Sequence, residues 1–215
     1  MKLLLIFLCC ASALFAQDKN AGRKVFTDIA VDSLLKVSKT DSIRYVERLA
    51  AYYYHQKLNE YRTGKRLKAL HWQDAAWLAS RNHCMWLIGN QKFDHVQKPG
   101  TPFFTGKSPQ ERLNYVTGVK QYTFSAENIL YNSNAFGKRA TDIARQIAET
   151  SFTQWKNSSD HNTNMLFRDS YAHGTAFVVA EGNLVYAVDV FIYQPEKDVP
   201  ETFQMPVFSV SPAKR

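Results

Sequence analysis

Apolar residues recur at helical spacing in several stretches of the chain and crowd into strand-like runs near its end. After Thr40-Asp41-Ser42, whose side-chain oxygens suit a helix start, Val46, Leu49, Ala50 and Tyr53 fall at i, i+3, i+4 and i+7. That is one apolar face, and Gly64 reads as its stop. Asp74 stands where a cap belongs for a second helix, in which Ala75, Leu78, Ala79 and Trp86 share a face before Gly89-Asn90. A third helix spans about 138–155, with Ala144, Ile147, Ala148, Ser151 and Trp155 together, and Asn157-Ser158-Ser159-Asp160 closes it. Residues 91–120 carry Pro99, Gly100, Pro102, Gly106, Pro109 and Gly118, which predicts a long loop region with one helical turn. Loops of that length in a compact domain are commonly functional. Residues 122–130 read as a strand, and 175–180 with 184–191 flank Glu181-Gly182-Asn183 as a hairpin. The order predicts an α+β fold with a mainly antiparallel sheet packed by helices.

The two ends read differently. Met1-Lys2, an apolar run over 3–8 and a small residue at Ala16 fit a secretory signal peptide cleaved after residue 16. The run is too short to span a bilayer, which needs ~20 apolar residues. An exported chain, secreted or periplasmic, follows, with no membrane-spanning segment after cleavage. Residues 17–44 form a polar N-terminal extension, 45–192 the domain and 193–215 a Pro-containing tail. Cys9 and Cys10 leave with the leader, so Cys84 remains alone and no internal disulfide is available. Cys84 lies among Trp77, Leu78, Trp86 and Leu87 and reads as a buried, inert thiol.

Charge adds little to this. The 27 Lys and Arg exceed the 19 Asp and Glu for a formal +8. The basic run Arg62, Lys65, Arg66 and Lys68 reads as a solvated helix end and loop, with attraction to anionic lipid heads or cell-wall polymer as the sharper alternative. Nucleic acid is a poor partner for an exported chain that carries no recognised binding motif.

The candidate chemistry rests on a few polar residues. His95 opens the long loop in Phe93-Asp94-His95-Val96, and His161 follows the third helix. Between them Ser125-Ala126-Glu127-Asn128-Ile129 places an acid on a half-buried strand. An ionised carboxylate there is costly without a partner, so Glu127 must face a cation or hydrogen-bond donors. His55, His71, His83 and His173 read as packed or surface imidazoles.

These elements resemble the CAP superfamily, the SCP-like extracellular domain of cysteine-rich secretory, antigen five and pathogenesis-related proteins, in its bacterial form. Leu58-Asn59-Glu60-Tyr61-Arg62 is similar to the family's Asn-x-x-Arg, and Leu70-His71-Trp72 with Ala75, Leu78 and Ala79 to its Leu-x-Trp and Leu-Ala. His95 followed by Glu127-Asn128-Ile129 resembles its His and Gly-Glu-Asn, with Ala126 in place of the glycine. Trp155-x-x-Ser158-x-x-His161-x-x-Asn164-Met165-Leu166 resembles the bacterial Trp-x-x-Ser-x-x-His-x-x-Asn-x-Leu, and Gly174 with the hairpin completes a match over about 45–192. The resemblance implies a three-layer α-β-α sandwich, helices on both faces of the sheet, and a surface cleft. In many members two histidines and two glutamates converge there, sometimes around zinc or magnesium. Carried over, His95, Glu127 and His161 are the matching ligand positions, and Ser158 stands where other members have the second glutamate.

Two imidazoles and a carboxylate suit zinc and leave a coordination position open. The metal-free alternative is a hydrogen-bonded polar cluster in which Glu127 orients imidazoles. Three functions follow. The first is a binding module whose cleft (His95, Glu127, Ser158, His161) takes a metal, a lipid, a glycan or another envelope component. The second is a metal-dependent hydrolase of such a component, with Glu127 as ligand or general base. The third is a structural, partner-binding surface protein. A Ser158–His161–Glu127 hydrolase is a further arrangement, set against it by the three-residue spacing and the lack of an oxyanion signature.

Overall fold

A computed structural model describes residues 42–120, 122–132 and 139–193. The expected leader, the extension up to residue 41 and the tail from residue 194 lie outside the described residues. In chain order the elements are α1 (Ser42–Gly64), β1 (His71–Trp72), α2 (Asp74–Asn90), α3 (Pro109–Thr117) and β2 (Phe124–Asn132). They continue with α4 (Ala140–Asn157), α5 (Ser159–Met165), β3 (Ser170–Val179) and β4 (Val185–Tyr193). A 3-10 turn over Glu181–Asn183 joins the hairpin, with Gly182 left-handed at φ 71°.

The strands run in the order β1-β3-β4-β2, with β1 parallel to β3 and the other pairs antiparallel. Alternation along β3 and β4 divides the core in two, because successive side chains point to opposite faces. Phe177, Val185, Ala187 and Phe191 join Leu49, Tyr54, Leu58, Ile147 and Trp155 from α1 and α4. Ala176, Val178, Val188, Val190 and Ile192 face Ala75, Ala79, Leu87, Leu113 and Val116 from α2 and α3. The fold is therefore the expected α-β-α sandwich. Its tightest seam is at Gly174, where a Cβ would stand 2.1 Å from the Trp77 amide nitrogen. Ser80 Oγ donates to the Gly174 carbonyl across that contact at 2.6 Å.

Several boundaries differ from the sequence expectation. Gln73 caps α2, its side chain accepting from the Ala75 amide, while Asp74 accepts from Arg48 Nη2 at 2.8 Å and Trp72 Nε1 at 2.9 Å. The acid serves a buried arginine rather than the helix end. The loop over 91–120 holds nine residues of helix instead of one turn. Ser108 accepts from Glu111 N, Pro109 starts α3, and Gly118 follows it at φ 76°, a full set of start and stop signals. Gly64 is the last residue of α1, yet the left-handed position beyond it is Arg66 at φ 63°. Arg62, expected on a solvated end, is fully buried. Its guanidinium donates to the carbonyls of Lys68, Met165 and Phe167, so it ties α1 to the end of α5.

The α1 face of the sheet also buries polar groups. His55 Nδ1 lies 2.8 Å from His173 Nε2, and His173 Nδ1 lies 2.9 Å from Asp189 Oδ1. Burial and the neighbouring His173 and His71 push His55 down to about 3. Cys84 is fully buried, and burial pushes its thiol up, away from reactivity.

Candidate functional site

Glu127 lies on edge strand β2, opposite Val190 of β4, on the face covered by α2 and α3. Its side chain is 1% exposed. Arg112 Nη2 donates to Oε2 at 2.5 Å, and His95 Nδ1 lies 2.8 Å from Oε1. The expected partners of the carboxylate are thus a guanidinium and an imidazole. Burial alone would raise the Glu127 pKa, but the Arg112 charge, the His95 hydrogen bond and His83 together hold it below the usual carboxylate range. The group is ionised at neutral pH. It therefore accepts from His95 Nδ1–H, and in the neutral form of that ring Nε2 is the acceptor.

Arg112 fixes both halves of this pair. Besides Glu127 it donates through Nη1 to the His95 carbonyl at 3.0 Å. The loop bearing His95 is further pinned by Asp94 Oδ1, which accepts from Val96 N at 2.9 Å. Gln97, fully buried, pairs its backbone amide with Lys107 O and its side-chain oxygen with Thr105 N. His95 itself is half exposed at 50%. A rigid underside and an open ring face are what a ligand contact requires.

His83 completes the underside. It is buried, stacks on Trp86 with centroids 5.7 Å apart, and receives Gln97 Nε2 at its Nδ1 at 3.1 Å. Its Nε2 stands 4.0 Å from Glu127 Oε1. Burial, with the charges of Arg112 and His95 adding and Glu127 opposing, pushes its pKa down to about 4.

His161 arrives from the other face of β2. Asn128, next to Glu127 and fully buried, donates through Nδ2 to the His161 carbonyl at 3.1 Å and accepts from Asn164 Nδ2 at 2.8 Å. Tyr61 Oη donates to Asn162 at 3.1 Å, so α1 and β2 hold α5 between them. The imidazole of His161 is partly buried, and burial followed by the nearby His95 lowers its pKa. Ser158 is the half-buried junction of α4 and α5; its carbonyl accepts from Asn162 N at 2.8 Å, and its hydroxyl caps neither helix.

The structure thus places His95 against Glu127 and brings His161 within electrostatic reach of His95. Among the described residues no hydrogen bond joins the side chains of Ser158 and His161, and no group of three His, Cys, Asp or Glu is placed to hold a metal ion. Each oxygen of Glu127 accepts one hydrogen bond, from Arg112 and from His95, and the carboxylate is almost fully buried. Arg112 escaped the sequence reading, whereas His83, read as a packed or surface imidazole, is packed against Trp86. For Arg112 the signal was present: in a helix beginning at Pro109 it stands one turn before Val116, on the buried face.

Comparison with known proteins gives the following. The model of the CAP family, the cysteine-rich secretory protein family, matches residues 55–193. No curated protein matches the chain. Among solved structures, an extracellular protein containing an SCP domain from Bacillus anthracis is similar at 18% identity with a TM-score of 0.51, over 72% of this chain and 43% of that one. An outer surface protein from Borrelia burgdorferi is similar at 16% identity with a TM-score of 0.48, over 65% of this chain and 89% of that one. Among the described residues no helix is long and apolar enough to cross a membrane.

Proposed function

The chain belongs to the cysteine-rich secretory protein (CAP) family, and on that premise we propose that it is an exported binding module, secreted or periplasmic, whose cleft takes a ligand at His95 and His161. The use of Glu127 carries the reading. Arg112 and His95 each hold one oxygen of this carboxylate, and its side chain is 1% exposed, so an entering ligand meets His95 rather than Glu127. What the pair leaves available is Nε2 of a half-exposed His95. A carboxylate on the far nitrogen of an imidazole is the common way of orienting a ligating histidine.

This donor set fits a divalent ion of zinc type better than magnesium, which prefers oxygen ligands. Such an ion would be held by His95 and His161, and it would supply Lewis acidity toward a further ligand. The chain's own contribution is to hold Nδ1–H of His95 on Glu127 and, through burial, to lower the pKa of His161. A lipid, glycan or other envelope component would meet the same two rings as hydrogen-bond acceptors or through the ion. Hydrolysis is the weaker reading, because the carboxylate that would act as base is neutralised by Arg112.

Native mass spectrometry of the full chain, secreted by an exporting host without chelator, tests the proposal. The wild type should carry an added mass, one zinc or a molecule of several hundred daltons, that His95→Ala/His161→Ala lacks. Bare wild-type protein that also fails to take up added zinc would overturn it.

A further inference from the structure

A cavity of about 830 Å³ opens between the loop after α1 and the ends of β3 and β4, and none of its lining residues belongs to the His95–Glu127–His161 cleft. Its volume lies within the ~300–1,000 Å³ usual for small-ligand sites. Arg66, Lys68 and Arg168 line it against one acid, Asp169. Among the described residues none of these three cations forms an ion pair, whereas Arg48 and Arg112 of the same chain each hold a carboxylate. Tyr171 and Tyr193 add ring surface, Tyr171 lying against His71 with centroids 4.7 Å apart.

The backbone fixes where Arg66 stands. Leu67 N donates to Arg62 O at 3.0 Å and Arg66 N to Thr63 O at 2.9 Å. That is the Schellman ending of a helix, and its left-handed residue is usually glycine. Here it is Arg66, at φ 63°. A residue with a Cβ is disfavoured there by ~1–2 kcal/mol. The same ending closes α2 at Gln91, φ 50°, and what sets Arg66 apart is that its side chain lines the cavity.

We propose that this cavity binds a phosphate ester carried on a polyol or sugar. The guanidinium groups of Arg66 and Arg168 and the Lys68 ammonium take the phosphate, as arginine's planar fork and lysine's point charge suit it. The tyrosine rings take the apolar face of the polyol, and Asp169 accepts from its hydroxyls. The ester comes either from a soluble sugar phosphate or from a phosphoglycerol lipid headgroup.

The test is calorimetric titration of the exported full chain with glucose 6-phosphate, glucose and inorganic phosphate, together with sedimentation on phosphatidylglycerol and phosphatidylcholine vesicles. Glucose 6-phosphate should bind about tenfold or more tightly than glucose or phosphate alone if the source is soluble. Binding to phosphatidylglycerol vesicles only would assign the headgroup. In either case Arg168→Gln should weaken binding about tenfold, the worth of one charge-assisted hydrogen bond. Arg66→Gly should weaken it similarly while raising Tm by ~2–4 °C, since it relieves the left-handed arginine. Absence of binding to every probe, or binding that both variants leave intact, would overturn the proposal.

Discussion

Replacing Glu127 by Gln perturbs the pair that underlies the cleft while nearly preserving its shape. The side chains of Glu127 and Arg112 are 1% and 0% exposed, and their nearest atoms are 2.5 Å apart. At an effective dielectric near 20, unit charges ~4 Å apart attract by ~4 kcal/mol. Removing one partner from a buried pair costs ~3–5 kcal/mol, because the other charge is left unpaired. Arg112 retains the His95 carbonyl at 3.0 Å and Lys107 O at 3.5 Å, and the amide oxygen of the glutamine still accepts from one neighbour. The loss should therefore fall near the lower figure, about 3 kcal/mol, out of a total of ~5–15 for a domain of ordinary stability. Urea unfolding of the full chain, followed by the fluorescence of buried Trp86 and Trp155, measures it. Adding Arg112→Met to Glu127→Gln should cost much less than the sum of the two single changes. A loss below ~1 kcal/mol for Glu127→Gln, or additivity in the double variant, would refute the claim that the cleft rests on this pair.

Acid should weaken the fold from near neutrality downward. His83 and His55 have folded pKa values of about 4 and about 3 against an ordinary 6.5, so the unfolded chain binds more protons between those limits and stability rises with pH there. The expected loss from pH 6.5 to 5 is roughly 1–2 kcal/mol per histidine, and His83→Gln should flatten part of it. Glu127 titrates below its ordinary 4.5, so its contribution is present above that value and lost only as pH falls further. Unfolding curves that are flat from pH 7 to 5 would contradict this. Gly174→Ala would drive a Cβ to 2.1 Å from Trp77 N and 2.6 Å from Gln73 O, both backbone atoms. Overpacking there should cost ~3 kcal/mol or more in the same assay, and a loss below ~1 would show that α2 is less closely seated than the structure has it.

The layered fold was legible because its signals are local and repeated. Apolar spacing marked α1, α2 and α4, and the turn at Gly182 marked the hairpin that puts β3 beside β4. Other features depended on tertiary partners. Asp74 has the composition of a cap, yet buried Arg48 and Trp72 compete for its carboxylate and win. Gly64 has the composition of a stop, yet the left-handed turn falls at Arg66. The site divides in the same way. His95, Glu127 and His161 stood out by residue type and motif, and the need for a cation at Glu127 followed from desolvation alone. That the cation is Arg112 could be read only after Pro109–Thr117 was recognised as a helix. Nothing in the order of residues said that Arg112 would take one oxygen of Glu127 and leave His95 the other.

The protonation of His95 tests the central claim most directly. Long-range proton–nitrogen correlation spectra of the uniformly labelled full chain at neutral pH distinguish the two ring nitrogens, with His95→Ala and His161→Ala providing assignments. In its neutral form the His95 ring should carry its proton on Nδ1, against Glu127, with Nε2 bare, and added zinc should shift His95 Nε2 and a ring nitrogen of His161 together. A proton on Nε2, or zinc that perturbs neither ring, would contradict it.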